Sequence, residues 1–218
     1  TEIDFDHPDL DDPDLWLTGW DAQSGKEYGY GSPLPANAES HGTAVAGIIG
    51  AIAGNGVGIK GIAPGVRLVP VRAVFSGAKE DHVIAAIREA ARRGAQVINL
   101  SLKVTSPHRP PGECSPGLSQ VLYETAAAGV VIVAAAGNST TYRNGATVPE
   151  PVVCPASHPS VIAVGAIDHL GRVPGYSAQG AELDLVAPGG AADGIGLIKP
   201  VSGGGYDKKL YTGTSFAA

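Results

Sequence analysis

Apolar residues recur along this chain at two periods. Across Ala78–Gly94 they fall at Val83, Ile84, Ile87, Ala90 and Ala91, the spacing of one helical face. Lys79, Glu80, Arg88, Arg92 and Arg93 occupy the other positions, and Gly94 supplies a stop. Continuous apolar runs flank this segment at Arg67–Phe75 and Ala95–Leu102. Strand, helix and strand joined by short links predict a parallel sheet. The unit repeats: Gly117–Ala128 reads as a helix and Gly129–Ala136 as a strand apolar enough to be buried on both faces. Val161–Ile167 and Leu183–Ala187 add two short strands. The predicted class is α/β with a mostly parallel sheet and right-handed crossovers.

Between these elements lie segments rich in Gly, Pro and Ser, at Thr105–Ser115, Ser139–Pro155 and Gly189–Tyr206. They are long for a compact domain, and such loops carry function more often than short ones do. The first 35 residues read as an acidic loop, with Asp4, Asp6, Asp9, Asp11, Asp12 and Asp14. No repeat or boundary breaks the 218 residues, so a single domain is expected. Composition narrows the class further. Hydrophobic residues at 44% are ample for a packed core and exclude a disordered chain. A net charge of −6 without any basic run argues against nucleic acid as a partner. The apolar runs are broken by Gly well short of the ~18 residues that a membrane span needs. Methionine is absent, which marks the chain as a processed or partial product. Cys114 and Cys154 are the two cysteines; composition leaves open one disulfide or two buried thiols.

Three short segments carry candidate chemistry. Ser40-His41-Gly42-Thr43-Ala44-Val45-Ala46-Gly47 puts a His at the start of a small-residue helical stretch. Ala134-Ala135-Ala136-Gly137-Asn138 ends a strand in Gly-Asn. Thr212-Gly213-Thr214-Ser215-Phe216-Ala217-Ala218 places a Ser after a Gly-Thr turn. Each has a plain structural reading as a cap or a turn. Together they supply a base, an amide donor and a nucleophile at element ends, the set that acyl transfer requires.

In this order and combination the segments HGTAVAG, AAAGN and GTSFAA resemble the His, oxyanion-Asn and Ser motifs of the subtilisin-like serine proteases, the subtilases. His7-Pro8-Asp9-Leu10, Gly61-Ile62-Ala63-Pro64, Val97-Ile98-Asn99-Leu100-Ser101-Leu102, Pro155-Ala156 and Ala187-Pro188-Gly189 have counterparts too, so the resemblance covers essentially the whole chain. It implies a three-layer αβα fold and a serine endopeptidase acting on polypeptides, with no cofactor for catalysis. Ser215 would be the nucleophile, His41 the general base and Asn138 the oxyanion donor. Ser101 and Leu102 would pair with the substrate backbone. A secreted or periplasmic location and an N-terminal propeptide in the precursor are also implied. So is a Cys114–Cys154 disulfide, which secreted relatives often carry. The resemblance further suggests a structural calcium held by Asp9 and Asn55, with backbone carbonyls of Ala53, Val57 and Ile59.

The resemblance departs from the family at two points. Counting back from His7, the triad Asp falls immediately before Thr1; Asp4 matches the family's second, non-triad Asp. At the other end, Ser215 opens a helix of which three residues remain. The expectation is a domain cut at both ends, inactive as it stands. A binding module that has lost its Asp is the alternative. Lys103-Val104 stands where many relatives have Gly-Gly, which predicts a narrower or differently charged cleft. Gly56-Val57-Gly58-Ile59-Lys60-Gly61 matches a dinucleotide fingerprint but follows a helix and runs into Pro64, the wrong context for one.

Overall fold

The helix and strand patterns resolve into an α/β arrangement in a computed structural model that describes residues 2–35, 38–110, 112–143, 146–190, 199–201, 203, 205–207 and 212–218. Thr1, against which the triad carboxylate was counted, lies outside the described residues, as does much of the Gly189–Tyr206 loop. The chain divides into two units. Thr1–Ala95 with Ile198–Lys208 form one, and Gln96–Leu197 with Lys209–Ala218 form the other.

The first unit carries strands β1 (Gly19–Asp21) and β2 (Lys26–Tyr28), helix α1 (His41–Gly50), strand β3 (Val71–Arg72) and helix α2 (Glu80–Arg92). The second carries β4 (Val97–Leu100), α3 (Pro116–Ala127), β5 (Val131–Ala135), β6 (Thr140–Arg143), β7 (Ala146–Pro149), β8 (Ile162–Ile167) and β9 (Leu185–Pro188). The hairpin β10 (Lys199–Val201) and β11 (Gly205–Asp207) returns to the first unit, and a 3₁₀ turn, Thr214–Phe216, closes the second.

In the second unit β4, β5, β8 and β9 form a four-stranded sheet in that order, every pair parallel. Side chains alternate between its faces. Ile98, Leu100, Ile132, Ala134 and Ala163 are buried, whereas Val97 and Val131, opposite one another in register, are 59% and 44% exposed. The run Gly129–Ala136 is thus buried on both faces only toward its end: Val131 is exposed and Val133 half-buried, whereas Ala134, Ala135 and Ala136 are all buried. Helix α3 begins where Ser115 Oγ accepts the Leu118 N–H and Pro116 fills the first turn. It buries Leu118, Val121, Leu122 and Thr125, one helical stripe. α2 buries Val83, Ala86, Ile87 and Ala90 in the same way. Gly94 and Gly129 end these helices at φ +82° and +86°, a left-handed geometry that costs glycine little.

The sheet of the first unit has the order β2-β1-β3, antiparallel then parallel. β1 and β2 fall in the segment expected to be an acidic loop, whereas β3 lies inside the Arg67–Phe75 run expected to be a strand. The strands are two or three residues long, and Lys26 and Glu27 carry no apolar alternation. Non-local pairing makes them strands. Gly19 allows it: a Cβ there would sit 1.7 Å from the Pro70 carbonyl oxygen. Beside this sheet Phe5, Leu10, Leu15, Trp16, Tyr28 and Ala46 form a core cluster. The Phe5 ring meets Trp16 and Tyr28 edge to face at 4.8 and 5.3 Å. Each polar tip is satisfied: Trp16 Nε1 donates to Leu10 O, and Tyr28 Oη accepts the Ile3 N–H. Burial pushes the Tyr28 phenol up to about 12.

Arg72 gathers the charges of this unit. Its Nε and Nη2 donate to Glu2 Oε1 at 3.0 and 2.7 Å, and its Nη1 to Gln23 Oε1 at 2.7 Å and Asp21 Oδ2 at 3.4 Å. All three charged side chains are 12–15% exposed. Burial pushes the Glu2 carboxyl up. Its backbone hydrogen bond and the Arg72 guanidinium outweigh that and hold it below the ordinary 4.5. A carboxyl lowered in the folded state contributes stability above its unfolded pKa and loses that contribution as pH falls through the folded value. Arg72→Ala strands two mostly buried carboxylates and should cost about 3 kcal/mol at neutral pH. Denaturant titrations should find that cost shrinking below pH 4.5, where Glu2 takes up its proton more readily in the variant.

Candidate active site

β4 and β5 run parallel with Leu100 opposite Ala134, so the two strands end side by side. The crevice beyond the carboxyl ends of parallel strands is where open α/β sheets bind ligands. Ser101, Leu102 and Lys103 follow one strand; Gly137, Asn138 and Ser139 follow its neighbour. Ser101 Oγ accepts from Asn99 Nδ2 at 3.0 Å and donates to the Ser215 carbonyl oxygen at 2.7 Å. Leu102 is half-buried.

Thr214 fixes the orientation of Asn138. Thr214, fully buried, donates from both its N–H and its Oγ1 to Asn138 Oδ1, at 2.7 and 2.8 Å. Its Oγ1 also accepts the Gly137 N–H at 3.1 Å. Because a backbone N–H can only donate, the carbonyl end of the Asn138 amide must face Thr214. The NH₂ end is thereby turned outward on an exposed residue. Neither this group nor the Ser215 N–H has a protein acceptor among the described residues. Ser215 itself is half-buried in the 3₁₀ turn, where the first N–H groups have no partner within the turn. The Gly213 N–H donates to Gly189 O at 2.9 Å, holding the approach to this turn. A Cβ at Gly213 would come within 3.3 Å of Asn138 Nδ2. Among the described residues the second unit thus presents a serine hydroxyl and, in the same segments, two donors without a protein acceptor.

His41 belongs to the first unit, where it opens α1 half-buried. Two residues on, Thr43 Oγ1 accepts the Asp4 N–H at 2.9 Å. The buried Asp4 carboxylate is occupied in turn by the N–H groups of Asp6 and Gly203. His7, also fully buried, accepts the Asp9 N–H at Nδ1, so its Nε2 carries the proton and donates to Gly205 O at 2.9 Å.

Asp9 is fully buried, and Asn55 stands beside it. Asp9 Oδ2 accepts the Ile59 N–H at 3.1 Å, and Asn55 Nδ2 lies 3.4 Å from Asp9 Oδ1 and 3.2 Å from Pro8 O. Asn55 Oδ1 faces the Val57 N–H at 3.3 Å, which directs the amide nitrogen toward Asp9. Gly58, at φ +57°, lies so close that a Cβ would come within 2.4 Å of both Asp9 oxygens and 1.9 Å of Tyr206 Oη. Burial, then the Asp9 carboxylate, pushes the Tyr206 phenol up to about 12. Among the described residues no three His, Cys, Asp or Glu side chains converge as a metal site. Cys114 and Cys154 are joined by a disulfide.

Two contributors escaped the sequence reading. Thr214 was legible only as part of a Gly-Thr-Ser turn, and Asn99 only as a strand residue. Their partners' residue types offered a signal: an amide donor and a strand-end hydroxyl both need a second group to hold them.

The profile described as "Subtilase family" matches residues 1–218. A thermophilic serine proteinase of Bacillus sp. (strain AK1) is 36% identical over 225 residues, covering 100% of this chain and 47% of that protein. Subtilisin E of Bacillus subtilis (strain 168) is 33% identical over 218 residues, 99% of this chain and 50% of its own length. The chain thus spans about half the length of these curated relatives. Among solved structures, a mutant of the protease domain of PatA is similar with a TM-score of 0.77 at 27% identity, over 99% of this chain and 71% of that one. A cold adapted subtilisin-like serine proteinase gives 0.74 at 25% identity, over 100% and 68%.

Thr214→Val keeps the shape of the side chain but leaves the buried Gly137 N–H without an acceptor and removes one donor from Asn138. Denaturant unfolding should register a loss of about 1–3 kcal/mol, with Thr214→Ser recovering most of it.

Proposed function

The chain belongs to the subtilase family, and on that premise we propose that the protein is a serine endopeptidase working through an Asp/His/Ser triad and an acyl-enzyme. The observation that carries the reading is the pair of unpaired donors, Asn138 Nδ2 and the Ser215 N–H, beside the Ser215 hydroxyl. Ser215 Oγ adds to a peptide carbonyl while His41 takes the hydroxyl proton. The negative charge that develops on the carbonyl oxygen is met by the two donors. The tetrahedral intermediate collapses, the C–N bond breaks, and the leaving amine takes the proton from His41. Water then repeats the sequence on the acyl-enzyme and releases the acid. In this reading the triad carboxylate is the residue that the resemblance to the family puts immediately before Thr1, where it would orient His41. None of these steps uses a cofactor.

The substrate is a polypeptide in extended form, pairing with Ser101 and Leu102 as an added strand. Support for this comes from their position just past the end of β4 and from the Asn99 and Ser215 contacts that hold Ser101. The disulfide supports a secreted or periplasmic location, because such bonds persist in oxidising compartments. No helix among the described residues is long and apolar enough to cross a membrane. A propeptide in the precursor belongs to the same reading.

A calcium ion at Asp9 and Asn55 would add a structural element. In its favour is a buried carboxylate with an Asn beside it. Against it, the groups facing that carboxylate are the Ile59 N–H and the Asn55 amide nitrogen, whereas Ca²⁺ gathers about 6–8 oxygens. The residues as folded do not fit the ion, and no step is routed through it. Addition of a calcium chelator should leave the melting temperature unchanged; a clear drop would establish the ion instead.

The test of the main reading is hydrolysis of an unstructured polypeptide by the full-length protein. Ser215→Ala should abolish it. Asn138→Ala should lower kcat by about 10²–10³ with little change in KM, the loss known for the equivalent donor in subtilisin. Peptide binding without any Ser215-dependent cleavage would support a binding module in its place.

A further inference from the structure

We infer that Lys103 selects substrates with an acidic side chain on the residue that supplies the scissile carbonyl. The inference rests on the reading above, in which the substrate pairs with Ser101 and Leu102 and turns that carbonyl toward Asn138.

Lys103 is exposed and lies two residues beyond Ser101 on the segment leaving β4. Its Nζ lies 3.4 Å from Ser139 Oγ, on the segment leaving β5. Ser139 directly follows Asn138. The side chain therefore crosses from the proposed substrate-pairing segment to the segment that bears the oxyanion donor. A substrate residue whose backbone pairs with the first segment and whose carbonyl faces the second lies beside the ammonium that spans them, within reach of a long flexible side chain.

The ammonium has no carboxylate partner among the described residues. Among the described residues it makes a long hydrogen bond to a neutral hydroxyl. An incoming carboxylate makes a shorter, charge-assisted bond and replaces that hydroxyl readily. The chain as a whole carries −6, so a cation at this place runs against the general charge. An acidic substrate side chain would be repelled by most of the surface and accepted here.

The decisive comparison uses two peptides that differ only by Glu or Gln at the residue before the scissile bond, which isolates charge from size. Binding is measured on the full-length Ser215→Ala protein and cleavage on the unaltered one. The Glu peptide should bind about 3–5-fold more tightly at low salt, as an exposed ion pair allows. The preference should vanish in 1 M salt, where screening acts within about 3 Å. Lys103→Gln should bring the ratio to one, and Lys103→Glu should invert it. Equal binding of the two peptides, or a ratio unmoved by Lys103→Gln, overturns the inference. Because binding is read without turnover, absence of cleavage by the unaltered protein counts only against the peptidase reading.

Discussion

Parallel pairing of β4 with β5 is the constraint from which the second unit follows. With Leu100 opposite Ala134, both strands stop at one level, and whatever follows them must share one crevice. A slip of one residue would turn every side chain of one strand to the other face. The register is held by burial on one face, where Ile98, Leu100, Ile132 and Ala134 are packed. The apolar core of this sheet and the polar geometry at its end are thus one requirement.

Within that frame a division of labour appears among small polar groups. The carbonyl oxygen of the Asn138 side chain is taken by Thr214, which leaves its amide hydrogens without a protein acceptor among the described residues, and Asn99 anchors the Ser101 hydroxyl that holds the Ser215 carbonyl. Neither supporting residue needs to meet substrate. In a crevice where water is displaced, a donor aimed in advance costs little reorganisation when charge develops.

The larger elements were legible because their burial is local and periodic. α2 and α3 are found within two residues of the positions their stripes predict, and β5 and β8 lie inside their apolar runs. The segments read as loops hid strands of two kinds. β1 and β2 are too short and too polar to show alternation and depend on distant β3. The hairpin β6–β7 lies in a stretch read as loop from its Ser, Thr, Asn and Pro content. Of the proposed catalytic residues, His41, Asn138 and Ser215 each stood in a recognisable motif. The bonds from Thr214 to Asn138 were not, because they join residues 76 apart that no periodicity links. The Asp9 environment was legible only in part, for a related reason. Asn beside Asp suggests oxygen ligands, but the Val57 N–H turns the amide the other way.

The Cys114–Cys154 bond closes a loop across 40 residues that contains α3, β5 and the β6–β7 hairpin. Its leverage lies in the denatured chain. A closed loop of that length removes conformations from the unfolded ensemble worth about 4 kcal/mol in the chain-entropy account. Reduction would leave every native contact of the crevice available and still shift the balance toward unfolding. The redox state of its surroundings therefore sets how long this crevice persists, independently of anything that binds there.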